Sequence, residues 1–289
     1  MSEYQHYEFQ AVDRPLKRKE REELRAISTR ARITASGFAD RYKWGDLKAD
    51  PETLLACYFD LILYVTNWGS RRFAMRLPKG TVETTDLDRF ALDEDFATIR
   101  QTGDNLIIDI HIDELEFDDW DDGAGWLAAL SQLRADVLGG DLRVFYLIWL
   151  MAVEAGCVRS DTPEPLPGIA PATAALRTFA AFFAIDGDLF DAATQAAPGH
   201  AGSPPPDAVA AFIGTQPEAE KTALLVCLHD GDPHVGAALR RRCRQASGLP
   251  VARRRTAGAL RDAAIRGQHD RKRTFIERLD RAGLGAEAP

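Results

Sequence analysis

The amino-acid sequence predicts an α+β protein: an N-terminal mixed α/β-sheet domain followed by a mainly helical C-terminal region. Three observations carry this. Residues 1 to about 112 hold short apolar or alternating segments bounded by Gly, Pro, Asp and Asn, the pattern of strands. Two apolar runs of helical length follow, at 126–138 and 141–156. Beyond a Pro-rich stretch, the apolar residues suit a series of short helices. With 289 residues, 45% of them hydrophobic and 28% charged, the chain can build one large core or two small ones.

Taken in order, "YQHYEFQ" at 4–10 reads as a first strand. "DRPLKRKEREELRAIS" is a turn and a charged helix with Leu16, Leu24 and Ile27 at helical spacings, and "ARITASGF" at 31–38 is a short second strand. Asp50 suits an N-cap and Pro51 the first helical position. Leu54, Leu55, Tyr58, Leu61, Ile62 and Val65 then recur as one apolar helical face, which predicts a single helix running to Val65 and stopped near Gly69. "RRFAMRLP" alternates as a strand ended by Pro78. "FATIRQ" and "NLIIDIHI", joined by Thr102-Gly103-Asp104, form a hairpin.

The helix at 126–138 is separated from the next by Gly139-Gly140. The second is apolar on nearly every side, as befits the buried helix of a domain. The expected organisation is an α+β domain at 1–158, a Pro-rich linker at 159–171, a helical region at 172–248 and a basic helical tail at 249–289.

Charge is unevenly spread. Residues 240–281 hold 14 Lys+Arg against 4 Asp+Glu, whereas the rest of the chain holds 22 against 40. Such asymmetry suggests a basic contact surface. Opposite charge in the two parts also allows a homodimer. No apolar run is long enough for a membrane helix, and the N-terminus lacks a secretory pattern, so a cytoplasmic location without membrane contact is expected. Cys57, Cys157, Cys227 and Cys243 form no C-x-x-C pair and read as buried reduced thiols, with Cys57 and Cys227 on apolar helix faces.

The segments "EYQHYEFQAVDRPL", "YKWGDLKADP", "YFDLILYVTNWGSRR" and "GWLAAL" together resemble the N-terminal half of a family of bacterial hypothetical proteins. The resemblance covers roughly the first 150 residues. It implies a cytoplasmic bacterial protein and supplies no activity.

Four groups of residues are candidates for function. Trp44-Gly45 and Trp68-Gly69 are echoing turns. They read first as fold corners with buried rings, and second as an aromatic site to which Lys43, Arg71 and Arg72 add charge. Asp118, Asp119, Asp121 and Asp122 lie in a run with seven acids between Asp113 and Asp122. They read as a solvated loop before a helix, as hard-cation ligands, or as a receptor for the basic segment. His229, Asp232 and His234 are of metal-ligating types, yet Asp232-Pro233 also starts a helix in a helix-turn-helix pattern.

The basic segment is the fourth group. Arg240, Arg241, Arg242, Arg244, Arg253, Arg254, Arg255, Arg271, Lys272 and Arg273 supply charge, and Phe275, Ile276 and Leu279 form a small apolar stripe able to dock in a groove. Counterion release lets such a segment bind phosphate backbones, while an acidic protein surface is the other natural partner. Walker A, G-x-S-x-G, H-E-x-x-H and G-x-G-x-x-G motifs are absent, and no cofactor is expected. The reading that follows is a non-enzymatic adaptor or regulatory protein that meets an acidic partner through its basic helical end. The alternatives are a nucleic-acid accessory factor and a metal-dependent hydrolase.

Overall fold

A computed structural model describes residues 3–82, 84–115, 121–195, 206–232, 234–247 and 254–281. The fold is α+β. Strands β1 (Gln5–Gln10), β2 (Arg32–Ile33), β3 (Gly37–Tyr42), β4 (Leu61–Thr66), β5 (Arg71–Pro78), β6 (Ala97–Thr102) and β7 (Asn105–Ile112) make one sheet. Its order is β2-β3-β1-β4-β5-β7-β6, and every pairing is antiparallel. Helices α1 (Arg18–Ile27), α2 (Pro51–Cys57) and α3 (Thr84–Asp88) interrupt the strands. The helical half holds α4 (Trp126–Leu138), α5 (Arg143–Glu154), α6 (Ala174–Phe182) and α7 (Gly187–Thr194). It ends with α8 (Pro206–Thr215), α9 (Glu218–His229), α10 (Val235–Ser247) and α11 (Ala257–Arg281).

Strand alternation explains how the sheet is covered. Leu61, Leu63, Val65, Phe73, Met75 and Ile108 project from one face into a core built with α4, α5, α6 and α7. Phe9, Ile62, Ala74 and Ile107 project from the other face towards Leu24 of α1 and Leu54 and Leu55 of α2. The central strands are therefore buried on both sides. As expected, α5 is buried along nearly its whole surface.

That double burial is why the long helix read from Asp50 to Val65 is wrong. Asp50 does cap α2, accepting from the Thr53 N–H at 2.8 Å, but the helix ends at Cys57 and residues 61–66 are β4. A strand covered on both faces is a continuous apolar run, and over six residues such a run also satisfies a helical template. Asp60 marks the change. Its buried carboxylate accepts from the N–H groups of Val12 and Asp13 and from Arg76, which ties the start of β4 to β1 and β5. The expected strand at 31–38 is likewise two strands, β2 and β3, turned by Thr34 to Ser36. The hairpin at 102–104 forms as β6–β7, with Gly103 at φ +58°.

The Pro-rich segment is built into the fold and is not a free spacer. Glu164, Leu166 and Ile169 are buried there. Arg143 donates to the Ile169 carbonyl at 3.0 Å, and Tyr146 donates to Glu164 at 2.8 Å. The apolar core runs without a break from the sheet through α7 to Ala257, Leu260 and Ala264 of α11. The expectation of buried thiols holds for Cys243 and is corrected for Cys57, Cys157 and Cys227, which are exposed. Among the described residues, no helix is long and apolar enough to cross a membrane.

Candidate functional site

The two Trp-Gly turns meet at one end of the sheet. Gln5, the first residue of β1, pairs with Tyr42 on one side and Thr66 on the other, just before each turn. Its side chain bridges them: Nε2 donates to the Gly45 carbonyl at 3.0 Å, and Oε1 accepts from the Tyr64 hydroxyl at 2.9 Å. Gly69 has φ +97°, and a side chain there would collide with the Leu115 backbone, so this turn requires glycine. The expectation of buried rings is corrected here: Trp44 is 74% exposed and Trp68 45%.

Beside them lies an open cleft of about 350 Å³ lined by Tyr7, Tyr64, Arg72, Asp109, His111 and Asp113, among others. Arg72 holds Asp109 in a two-pronged pair at 2.6 and 2.8 Å and reaches Glu52 at 3.2 Å. Burial raises the hydroxyl pKa of Tyr64 to about 12 and pushes that of Tyr7 further up, so both remain neutral donors. Arg71 also lines this cleft, but its side chain is buried, donates to Asp121 at 2.7 Å and has its guanidinium carbon 5.0 Å from the Phe182 ring centre. It is part of the core and not of an exposed aromatic site.

Of the acidic run, Asp118 and Asp119 lie outside the described residues. Burial works to raise the Asp121 carboxyl, but the Gly123 N–H, Arg71 and the Trp126 indole outweigh it and hold the group below its usual range. Asp122 accepts from Arg41 at 3.1 Å. The acids at the loop's end are thus paired within the body. His234 turns its Nε2 to Asp13 at 3.3 Å, while its backbone N–H donates to Asp232. No group of three or more His, Cys, Asp or Glu able to hold a metal occurs among the described residues, so His229, Asp232 and His234 are not brought together as the alternative metal cluster.

The basic segment divides into three parts. The arginines of α10 turn toward the body: Arg241 donates to the Thr81 carbonyl at 2.9 Å, Arg244 is half-buried, and Arg240 lies against Gly139. Arg242 faces Glu220 at 3.6 Å. Arg253 lies outside the described residues, and Arg254 adds positive charge near Arg89. Arg255 and Arg261 lock the start of α11, the first on Glu164 and the second on the Val153 and Val158 carbonyls.

Further on, Arg271 pairs with Asp188 and Arg273 with Asp270. Beyond that point the helix leaves the body. Phe275 is 62% and Ile276 56% exposed, with Leu279 half-buried and Lys272 and Arg278 exposed beside them. Gln5, Tyr7, Tyr64, Asp109 and Arg89 were not singled out in the sequence. Nothing local marks them, because their roles come from strand register and from helices that follow much later in the chain. Comparison with protein families, curated proteins and solved structures returned no match.

Proposed function

We propose that this chain is a non-enzymatic interaction protein that grips an acidic protein partner with the projecting end of α11. One observation carries the reading. In a helix of 25 residues, only Ala257, Leu260 and Ala264 are buried, and the far end holds Phe275 and Ile276 in solvent among Lys272, Arg273 and Arg278. An apolar pair on an amphipathic helix is the element that enters a partner's groove, and the flanking cations favour an acidic rim. Long-range attraction between that rim and the basic helix speeds encounter and weakens with salt.

The partner reading is favoured over phosphate-backbone binding because many arginines of the basic segment already have partners. Arg242, Arg255, Arg271 and Arg273 face carboxylates, and Arg241 and Arg261 donate to backbone carbonyls. The four carboxylate pairs reduce the positive charge available to release counterions along a phosphate backbone. The test is affinity capture by the full chain and by a Phe275→Asp, Ile276→Asp chain at low and physiological salt. Labelled duplex DNA and RNA serve as the competing ligands. A protein partner retained by the first chain and lost by the second supports the reading. Equal retention by both, or nucleic acid bound in preference, contradicts it.

A further inference from the structure

The turn of α10 toward the body creates a second feature, whose described lining includes no residue of α11. A cavity of about 320 Å³ lies between the segment before α3, the Gly139-Gly140 turn and α10. Its described lining includes Arg89, Arg241 and Arg244 against a single acid, Asp86, with Val82 and Leu142 as apolar floor. The close approach is made by Gly140. It sits at φ +81°, and a side chain there would meet Arg241 Cγ at 3.2 Å. Arg241 is then fixed by its bond to Thr81, and Arg89 packs with its guanidinium carbon 5.2 Å from the Phe90 ring centre.

Among the described residues, the charges lining this cavity are not balanced from within. The Nε–H groups of Arg89 and Arg244 are buried, and neither has a hydrogen-bond partner among the described residues. A buried donor left unpaired is costly, and a charged one more so. The acids nearest Arg244 are already engaged. Asp141 is clamped by Arg143 at 2.7 Å, and Asp136 accepts from Gln132 at 2.9 Å while burial raises its pKa. Burial lowers the pKa of both arginines and outweighs the attraction of Asp86 at Arg89 and of Asp141 and Asp136 at Arg244. The site favours a ligand that brings negative charge and several acceptors.

We infer that this cavity binds a phosphate group, as inorganic phosphate or as the phosphomonoester of a small organic molecule. Three guanidinium groups against one carboxylate leave two positive charges, which matches the roughly −1.5 to −2 carried by a phosphomonoester near pH 7. Guanidinium forks suit the spread oxygens of phosphate. The volume exceeds that of phosphate alone and falls at the lower end for small-molecule pockets, so a short organic group fits over Val82 and Leu142.

The experiment is calorimetric titration of the full chain with inorganic phosphate, glycerol 1-phosphate and succinate at constant ionic strength, with melting temperatures measured in parallel. Phosphate or glycerol 1-phosphate should bind and raise the melting temperature, and succinate should bind at least tenfold more weakly. Tighter binding of glycerol 1-phosphate identifies an ester as the ligand, and equal binding identifies free phosphate. Arg89→Gln and Arg244→Gln, on opposite walls, should each weaken binding at least tenfold. Without phosphate they should melt close to the parent, because each removes a half-buried cation whose Nε–H is unpaired among the described residues. No binding, succinate binding as tight as phosphate, or undiminished binding by both variants would overturn the inference. The Phe275→Asp, Ile276→Asp chain should retain phosphate binding, so failure of this site and failure of the α11 reading are separable.

Discussion

The Arg255 guanidinium closes onto Glu164, with Nη2 3.1 Å from the carboxylate and Glu164 only 1% exposed. The backbone N–H of Arg255 and the Tyr146 hydroxyl donate to the same carboxylate at 3.0 and 2.8 Å. A residue from the basic tail and a residue from the Pro-rich segment thus share one buried site on α5.

Breaking that site should unfold the chain readily. Arg255→Ala leaves a buried carboxylate without its cation, and removal of one partner from a buried pair costs about 3–5 kcal/mol. Urea unfolding should show a fall of that order. A loss below about 1 kcal/mol would place the pair among weak surface salt bridges instead.

This pair also shows what the sequence hides. The charge excess of 240–281 is countable, but which arginines face inward depends on acids contributed by distant segments. Composition made 159–171 look like a spacer, because four prolines mask the buried trio Glu164, Leu166 and Ile169. The helices α4 and α5 were legible, since long apolar runs broken by Gly139-Gly140 have few other solutions. The fate of Leu61 to Val65 was not, because a doubly covered strand loses the alternation that would distinguish it from a helix. The Trp-Gly echo was visible, but the Gln5 bridge between the turns depends on strand order.

Acid stability should depend on Asp60. Burial alone would raise its carboxyl, but Arg76, the Asp13 and Val12 N–H groups and Arg134 outweigh burial and lower the folded-state pKa. The stabilisation is therefore present above the unfolded value near 3.9 and is lost as pH falls through the folded value. Asp60→Asn should be less stable than the parent at neutral pH and should lose less stability on acidification. Unfolding curves measured from pH 7 down to pH 2 check this. Parallel losses in the two proteins would show that Asp60 does not titrate in this way.

The tryptophans should separate into two classes. Trp44→Ala and Trp68→Ala remove exposed rings and should alter stability by no more than about 0.5 kcal/mol. Trp149, fully enclosed in α5, should cost about 3–5 kcal/mol when replaced by alanine. Acrylamide quenching of each variant gives an independent reading: the Trp44→Ala and Trp68→Ala chains should lose quenchable fluorescence. A Trp44→Ala chain as unstable as Trp149→Ala would mean that the corner ring is packed.

The central claim is that the far end of α11 is a partner-binding element and not merely a solvated end. The direct measurement compares the proteins captured by the full chain, a chain ending at residue 274, which keeps the Arg271–Asp188 pair, and the Phe275→Asp, Ile276→Asp chain. All should keep the body, since the buried residues of α11 end at Ala264. The account predicts a salt-sensitive acidic protein held by the full chain and lost from both others. The same proteins held equally by all three would contradict it.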